Sequence, residues 1–197
     1  MMEDFGTPAG PGAVRIERFL PGPVERIWAY LTDGEKRRTW LAAGAMELRV
    51  GGQVEHRFLH SELSAEKAPP ERYGAYEAGH TMFGTITRIE PPRLLSYTWG
   101  DGPDDSEVTF ELIPRGGEVL LVVTQRRLRS REGMANVAAG WHAHLGLLAD
   151  HLAGRPPRGF WSTHGAMEAE YTRRFAGAEP FAAGASPPAS NPDEASR

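Results

Sequence analysis

The sequence of 197 residues contains no cysteine, which excludes disulfides, thiolate nucleophiles and cysteine-ligated zinc or iron–sulfur centres. No run approaches the roughly 18 apolar residues of a membrane span. The N-terminus lacks a basic stretch followed by an apolar one, so a cytoplasmic protein with no membrane partner is expected. Positive charge is also scarce: 22 Lys and Arg against 26 Asp and Glu leave a net charge of -4. No nucleic-acid partner is expected, since the densest basic cluster, Arg126, Arg127, Arg129 and Arg131, reads as a solvated strand end and loop. There is no internal repeat, no nucleophile elbow, no Gly-rich phosphate loop after a strand and no conspicuous carboxylate pair. No cofactor is expected.

What the sequence does contain is one strong helix signal after a series of short strand signals. Val137, Trp141, His144, Leu145, Leu148 and Leu152 share one face of a helix over 134–152, with Glu132, Asn136 and Asp150 off that face. Gly154 tolerates a left-handed conformation, and Pro156 and Pro157 cannot continue a helix, so the helix stops there. A stripe this wide with so large a ring in it predicts a helix pressed along its length against a sheet.

In chain order, residues 1–13 hold three glycines and two prolines and read as a flexible lead-in. Val14 to Leu20 predicts a strand. Val24, Ile27, Trp28 and Leu31 then predict a short amphipathic helix, and Thr32 or Asp33 can cap a second one running towards Trp40. Met46–Val50 and Gln53–Leu59 predict two strands joined at Gly51-Gly52, with Val54, His56 and Phe58 on the inner face. Residues 60–80 leave the sheet in an excursion long enough to be a lid or an insertion. Four strands follow, over 81–90, 93–99, 107–113 and 118–125, with short connections that favour an antiparallel meander. After the long helix, a C-terminal extension over 154–176 carries Phe160 and Trp161 and a docking helix starting near Thr163. Residues 177–197 have the composition of a disordered tail.

This order resembles the helix-grip fold of the START and Bet v 1-like superfamily, also called SRPBCC. Val24-Glu25-Arg26-Ile27-Trp28-Ala29-Tyr30-Leu31-Thr32-Asp33 followed by Trp40, Ile89-Glu90-Pro91-Pro92-Arg93-Leu94-Leu95-Ser96-Tyr97-Thr98-Trp99, and Gly140-Trp141 with Leu145, Leu148 and Leu152 resemble the family named after the activator of Hsp90 ATPase. The resemblance covers Val14 to Leu152. It implies an α+β protein in which a curved antiparallel sheet of six to seven strands wraps around a long C-terminal helix, with two short helices after the first strand; the domain spans 14–153. Only 13 residues precede the first predicted strand, leaving no room for the Hsp90-binding domain of the eukaryotic co-chaperone, so Hsp90 binding is not expected.

Such a fold can enclose a cavity between sheet and helix. Strand parity and helical phase place His56, Phe58, Met82, Ile86, Tyr97, Trp99, Phe110, Trp141, His144 and Leu148 on its walls. Rings with one or two imidazoles suit a small apolar, aromatic or lipid-like ligand in a cavity of about 300 Å³ or more; the alternative is that Trp99 and Trp141 pack together and fill the space. A single bulge would swap the faces beyond it. For catalysis of the cyclase, aromatase or hydrolase kind, His144, His56 and Tyr97 are the only placeable groups, and a non-enzymatic binding protein is the leading reading. No metal site is expected: His142 and His144 diverge on a helix, and His144 and His151 stand about 10 Å apart along it. A third reading is an interaction protein, such as a homodimer or chaperone partner, using the excursion and Phe160-Trp161.

Overall fold

The computed structural model describes residues 5–102 and 105–181; the tail expected beyond residue 181 lies outside them. Seven strands form one antiparallel sheet in the order β1-β2-β7-β6-β5-β4-β3. They are β1 (Thr7–Pro8), β2 (Val14–Pro21), β3 (Gln53–Phe58), β4 (His80–Glu90), β5 (Leu94–Trp99), β6 (Ser106–Arg115) and β7 (Glu118–Arg126). The helices are α1 (Val24–Thr32), α2 (Gly34–Arg37), α3 (Arg131–Leu152) and α4 (Phe160–Arg174). This is the expected α+β helix-grip arrangement. Alternation sets the inner face: Val54, His56 and Phe58 of β3, Leu95 and Tyr97 of β5, and Val108, Phe110 and Leu112 of β6 are all buried.

Asp33 provides the cap between the two short helices, its Oδ1 accepting the amides of Glu35 and Lys36 at 2.9 and 3.0 Å. Arg37 is buried and fans out to the carbonyls of Leu31, Thr32, Gly44 and Glu55. Its guanidinium thus fastens the helix pair to the β3 edge. Gly44 permits the close approach this needs: its φ is 122°, and a Cβ there would lie 2.3 Å from the Glu55 carbonyl oxygen.

Three local expectations are corrected. Residues 46–50 form no strand; the segment meets β3 through an isolated bridge at Met46–Val54 and a bond from Glu47 N to the Gln53 carbonyl at 2.9 Å. Leu48 and Val50 are exposed, so alternation there has no core face to serve. Seven strands are reached because Thr7–Pro8 pairs with Val14 and Arg15. The supposed lead-in is strapped down: Phe5 packs on His142 and Tyr171, and the Gly6 amide donates to the Tyr171 hydroxyl at 2.7 Å. At the other end, the start of the expected tail is held by main-chain bonds, from Gly12 to Glu179 and from Phe181 to Leu128.

Helix α3 carries the expected stripe and buries more besides. Ser130 caps it by accepting the Gly133 amide. It ends in a paired motif, with Arg155 N bonded to Asp150 O and Gly154 N to His151 O, around a left-handed Gly154. The predicted buried stripe is only part of its buried surface. The opposite side is buried too, because α4 packs there: His142 meets Tyr171 of α4, and Asp150 is buried under Arg155 and Arg158. The Arg158 side chain lies across Gly146, where a Cβ would sit only 2.9 Å from it.

Candidate ligand-binding cleft

Where the inner face of the sheet meets α3, a cleft of about 230 Å³ remains. From the sheet it takes Phe58, His80, Trp99 and Gln125; from α3, Asn136, Val137, Gly140, Trp141 and His144. The α3 residues recur at helical spacing and so share one face. The excursion supplies His60, Tyr73 and Tyr76, and the N-terminal end of α4 supplies Phe160, Trp161 and His164. Phe160 and His164 stand four apart and therefore face the cleft together. No Asp, Glu, Lys or Arg lines it.

The cleft is smaller than the expected 300 Å³ or so because rings occupy much of the space. Trp99 and Trp141 pack edge to face with centroids 5.1 Å apart, and Phe110 meets Trp141 at 5.4 Å. Trp141 is fixed further by donating from Nε1 to Gln125 Oε1 at 2.6 Å, while Gln125 Nε2 donates to Ser106 at 2.8 Å. The excursion closes over these rings. Tyr73 stacks on Trp161 at 5.5 Å and accepts from Asn136 at 3.2 Å. Its hydroxyl donates to Glu168 at 3.0 Å, beside the Arg72–Glu168 ion pair. His60 lies against Phe160 and Trp161.

The ten expected wall residues fall into three groups. Phe58, Trp99, Trp141 and His144 line the cleft. His56, Tyr97 and Phe110 lie one layer beneath: His56 packs on Phe58, Tyr97 and Trp99, and Tyr97 stacks on Phe110. Met82, Ile86 and Leu148 do not line it; Ile86 and Leu148 are core and Met82 is half-buried opposite His56. A bulge does occur in β4, between Ile86 and Arg88, but beyond all the β4 positions named, so it transfers burial to Ile89 without disturbing them. The lid and α4 residues were missed because parity and phase address only the sheet and α3. The signal available was the density of His and aromatic side chains between His60 and His80 and at Phe160-Trp161. Those last two are buried, at 2% and 8% exposure, so they are not the outward contact surface expected of them.

The imidazoles are held neutral. Burial, reinforced by Arg37, lowers His56 to about 3, and both its ring nitrogens lack partners. Burial first, then His60, lowers His144 to about 3, although its Nδ1 is bonded to the Trp40 carbonyl at 2.7 Å. Burial lowers His60 to about 4, and His80 and His164 shift the same way. Burial also raises the Tyr97 phenol well above its ordinary value. Neither Tyr97 nor His56 reaches the cleft, so of the three groups considered for proton transfer only His144 borders it. Among the described residues, no three His, Cys, Asp or Glu side chains converge to hold a metal ion. No described helix is long and apolar enough to cross a membrane.

A solution structure of the Bordetella parapertussis protein encoded by gene BPP1335 is 44% identical, covering 88% of this chain and 95% of that one, with a TM-score of 0.73. The crystal structure of CalU16 from Micromonospora echinospora is 23% identical over 82% of this chain and 87% of that one, with a TM-score of 0.62. DynU16, a protein of the dynemicin biosynthetic locus, is also 23% identical, over 74% of this chain and 49% of that one, with a TM-score of 0.56. No curated protein matches. The family model described as activator of Hsp90 ATPase homolog 1-like protein matches residues 21–153, and the chain belongs to that family.

Proposed function

We propose that this chain is a cytoplasmic, non-enzymatic binding protein that takes a small, largely apolar aromatic molecule into the cleft between sheet, α3 and lid. The observation that carries this reading is the lining: aromatic rings and neutral imidazoles, a fixed indole and amide, and no charged side chain. Such a surface offers stacking and a few oriented hydrogen bonds, the usual chemistry of small-molecule pockets. An apolar cavity of about 150 Å³ suffices for benzene, so one or two fused rings suit this volume.

The test is native mass spectrometry of gently purified protein, followed by a thermal-shift screen of aromatic and lipid-like compounds. A retained adduct, or stabilisation by planar aromatics that Trp141→Ala abolishes in a variant that still melts cooperatively, is the expected result. A clean unliganded mass with no stabilisation by any compound contradicts the proposal.

A further inference from the structure

The polar atoms of the cleft narrow the ligand class. With no carboxylate on its walls it has no partner for an amine, and with no Lys or Arg it has none for a permanent anion. Trp141 Nε1 and the Gln125 amide are already engaged with each other and with Ser106. The polar capacity that remains belongs to histidine, to Asn136 and to the more exposed Tyr76. His144 is the histidine whose tautomer the geometry fixes: its Nδ1 is 2.7 Å from a carbonyl oxygen, which only accepts. The ring proton therefore sits on Nδ1, and Nε2 carries the lone pair. The Trp40 carbonyl would also steady that ring if Nε2 took up a proton. Around it, Trp161 Nε1, His60 Nδ1 and His164 Nδ1 have no partner among the described residues, although Trp161 and His164 are only 8% and 6% exposed. Those three atoms are themselves sealed from the cleft, whereas His144 Nε2 is not.

Resting on the binding role proposed above, we infer that the cleft selects planar aromatic weak acids, molecules with an acidic hydroxyl on a conjugated ring. The ring packs among Trp99, Trp141 and Phe160, and the hydroxyl donates to His144 Nε2. A neutral base next to stacking faces distinguishes such a ligand from its ether, which has the same plane but no proton to give. It also distinguishes it from an aromatic carboxylate, which is already ionised and finds no cation.

The experiment is isothermal titration of the full chain near neutral pH with 2-naphthol, 2-methoxynaphthalene and 2-naphthoate. The expected result is that naphthol binds about tenfold more tightly than its ether, the effect of one well-made hydrogen bond in a dry site, with naphthoate the weaker of the two acids. Bound naphthol should show a red-shifted absorption that reports donation from its hydroxyl, a reading on wild-type protein that needs no variant. In His144→Leu, the preference over the ether should fall to under about threefold. If the ether binds as tightly as naphthol, the binding role stands and the selection of an acidic hydroxyl is overturned. If none of the three binds, both fail.

Discussion

His56 is the most exposed to challenge of the individual residues, because it combines complete burial with two unpartnered ring nitrogens. It was an attractive ligand on parity grounds, and parity did place it inward. Phe58 and Trp99, however, stand between it and the cleft. An imidazole there forfeits hydrogen bonds that water would supply, so His56→Phe, similar in shape, should stabilise the protein by about 1 kcal/mol in urea denaturation. Asp150 is the opposite case. Arg158 first, with Arg155 in support and burial opposing them, holds its carboxyl at about 2. Asp150→Asn should therefore lose about 1–2 kcal/mol at pH 7, a modest figure because both arginines are partly exposed. Its depressed value means the wild-type advantage is present above pH 4 or so, and closes as the pH falls towards about 2.

Among the elements, the excursion over 60–80 is the one whose role the sequence left open between lid and insertion. Two 3-10 turns, His60–Glu62 and Glu71–Tyr76, shape it, and Tyr73 fastens it to Asn136 of α3 and Glu168 of α4. Tyr73→Phe removes both bonds and keeps the stack on Trp161, so global stability should fall by no more than about 1 kcal/mol. Amide exchange across 60–80 should accelerate several-fold while the exchange of α3 stays unchanged; equal rates in the two proteins would show that the latch holds nothing.

The contrast between what was readable and what was not follows from the reach of the patterns. The sheet, α1 and α3 were legible because Val108, Phe110 and Leu112, or Leu145, Leu148 and Leu152, repeat with the period of their element. Met46–Val50 also alternated, yet Leu48 and Val50 face water, since alternation records a possible pleat and not a partner for it. Four cleft residues were legible for the same periodic reason. The remaining walls come from segments brought in by tertiary packing, and neither Tyr73 against Trp161 nor His60 against Phe160 leaves a periodic trace in the chain.

For the whole molecule, the buried histidines set the response to acid. His56 and His144 at about 3, and His60 and His142 at about 4, all lie below the 6.5 of an exposed imidazole. The unfolded chain therefore binds more protons once the pH drops below about 6.5. Stability is complete above that value and declines continuously towards pH 4, by up to about 1.4 kcal/mol per pH unit for each such group. Denaturant midpoints at pH 7.5, 6 and 5 should fall in that order. A flat profile would mean these imidazoles are not sequestered.

If the cleft is open volume used by a ligand and not a flaw in packing, filling it from Gly140 should abolish binding. Gly140 lines the cleft from the middle of α3, and a Cβ built there meets no atom within 4 Å. Gly140→Leu should fill the cleft while gaining somewhat less than the roughly 0.8–1 kcal/mol of helix propensity that separates Gly from Ala. The measurement is the affinity of wild type and Gly140→Leu for the same planar aromatic ligand, alongside their melting temperatures. The expected variant is at least as stable as wild type and has lost binding. A stable variant that binds with undiminished affinity would place the ligand elsewhere and contradict a ligand-binding role for the cleft.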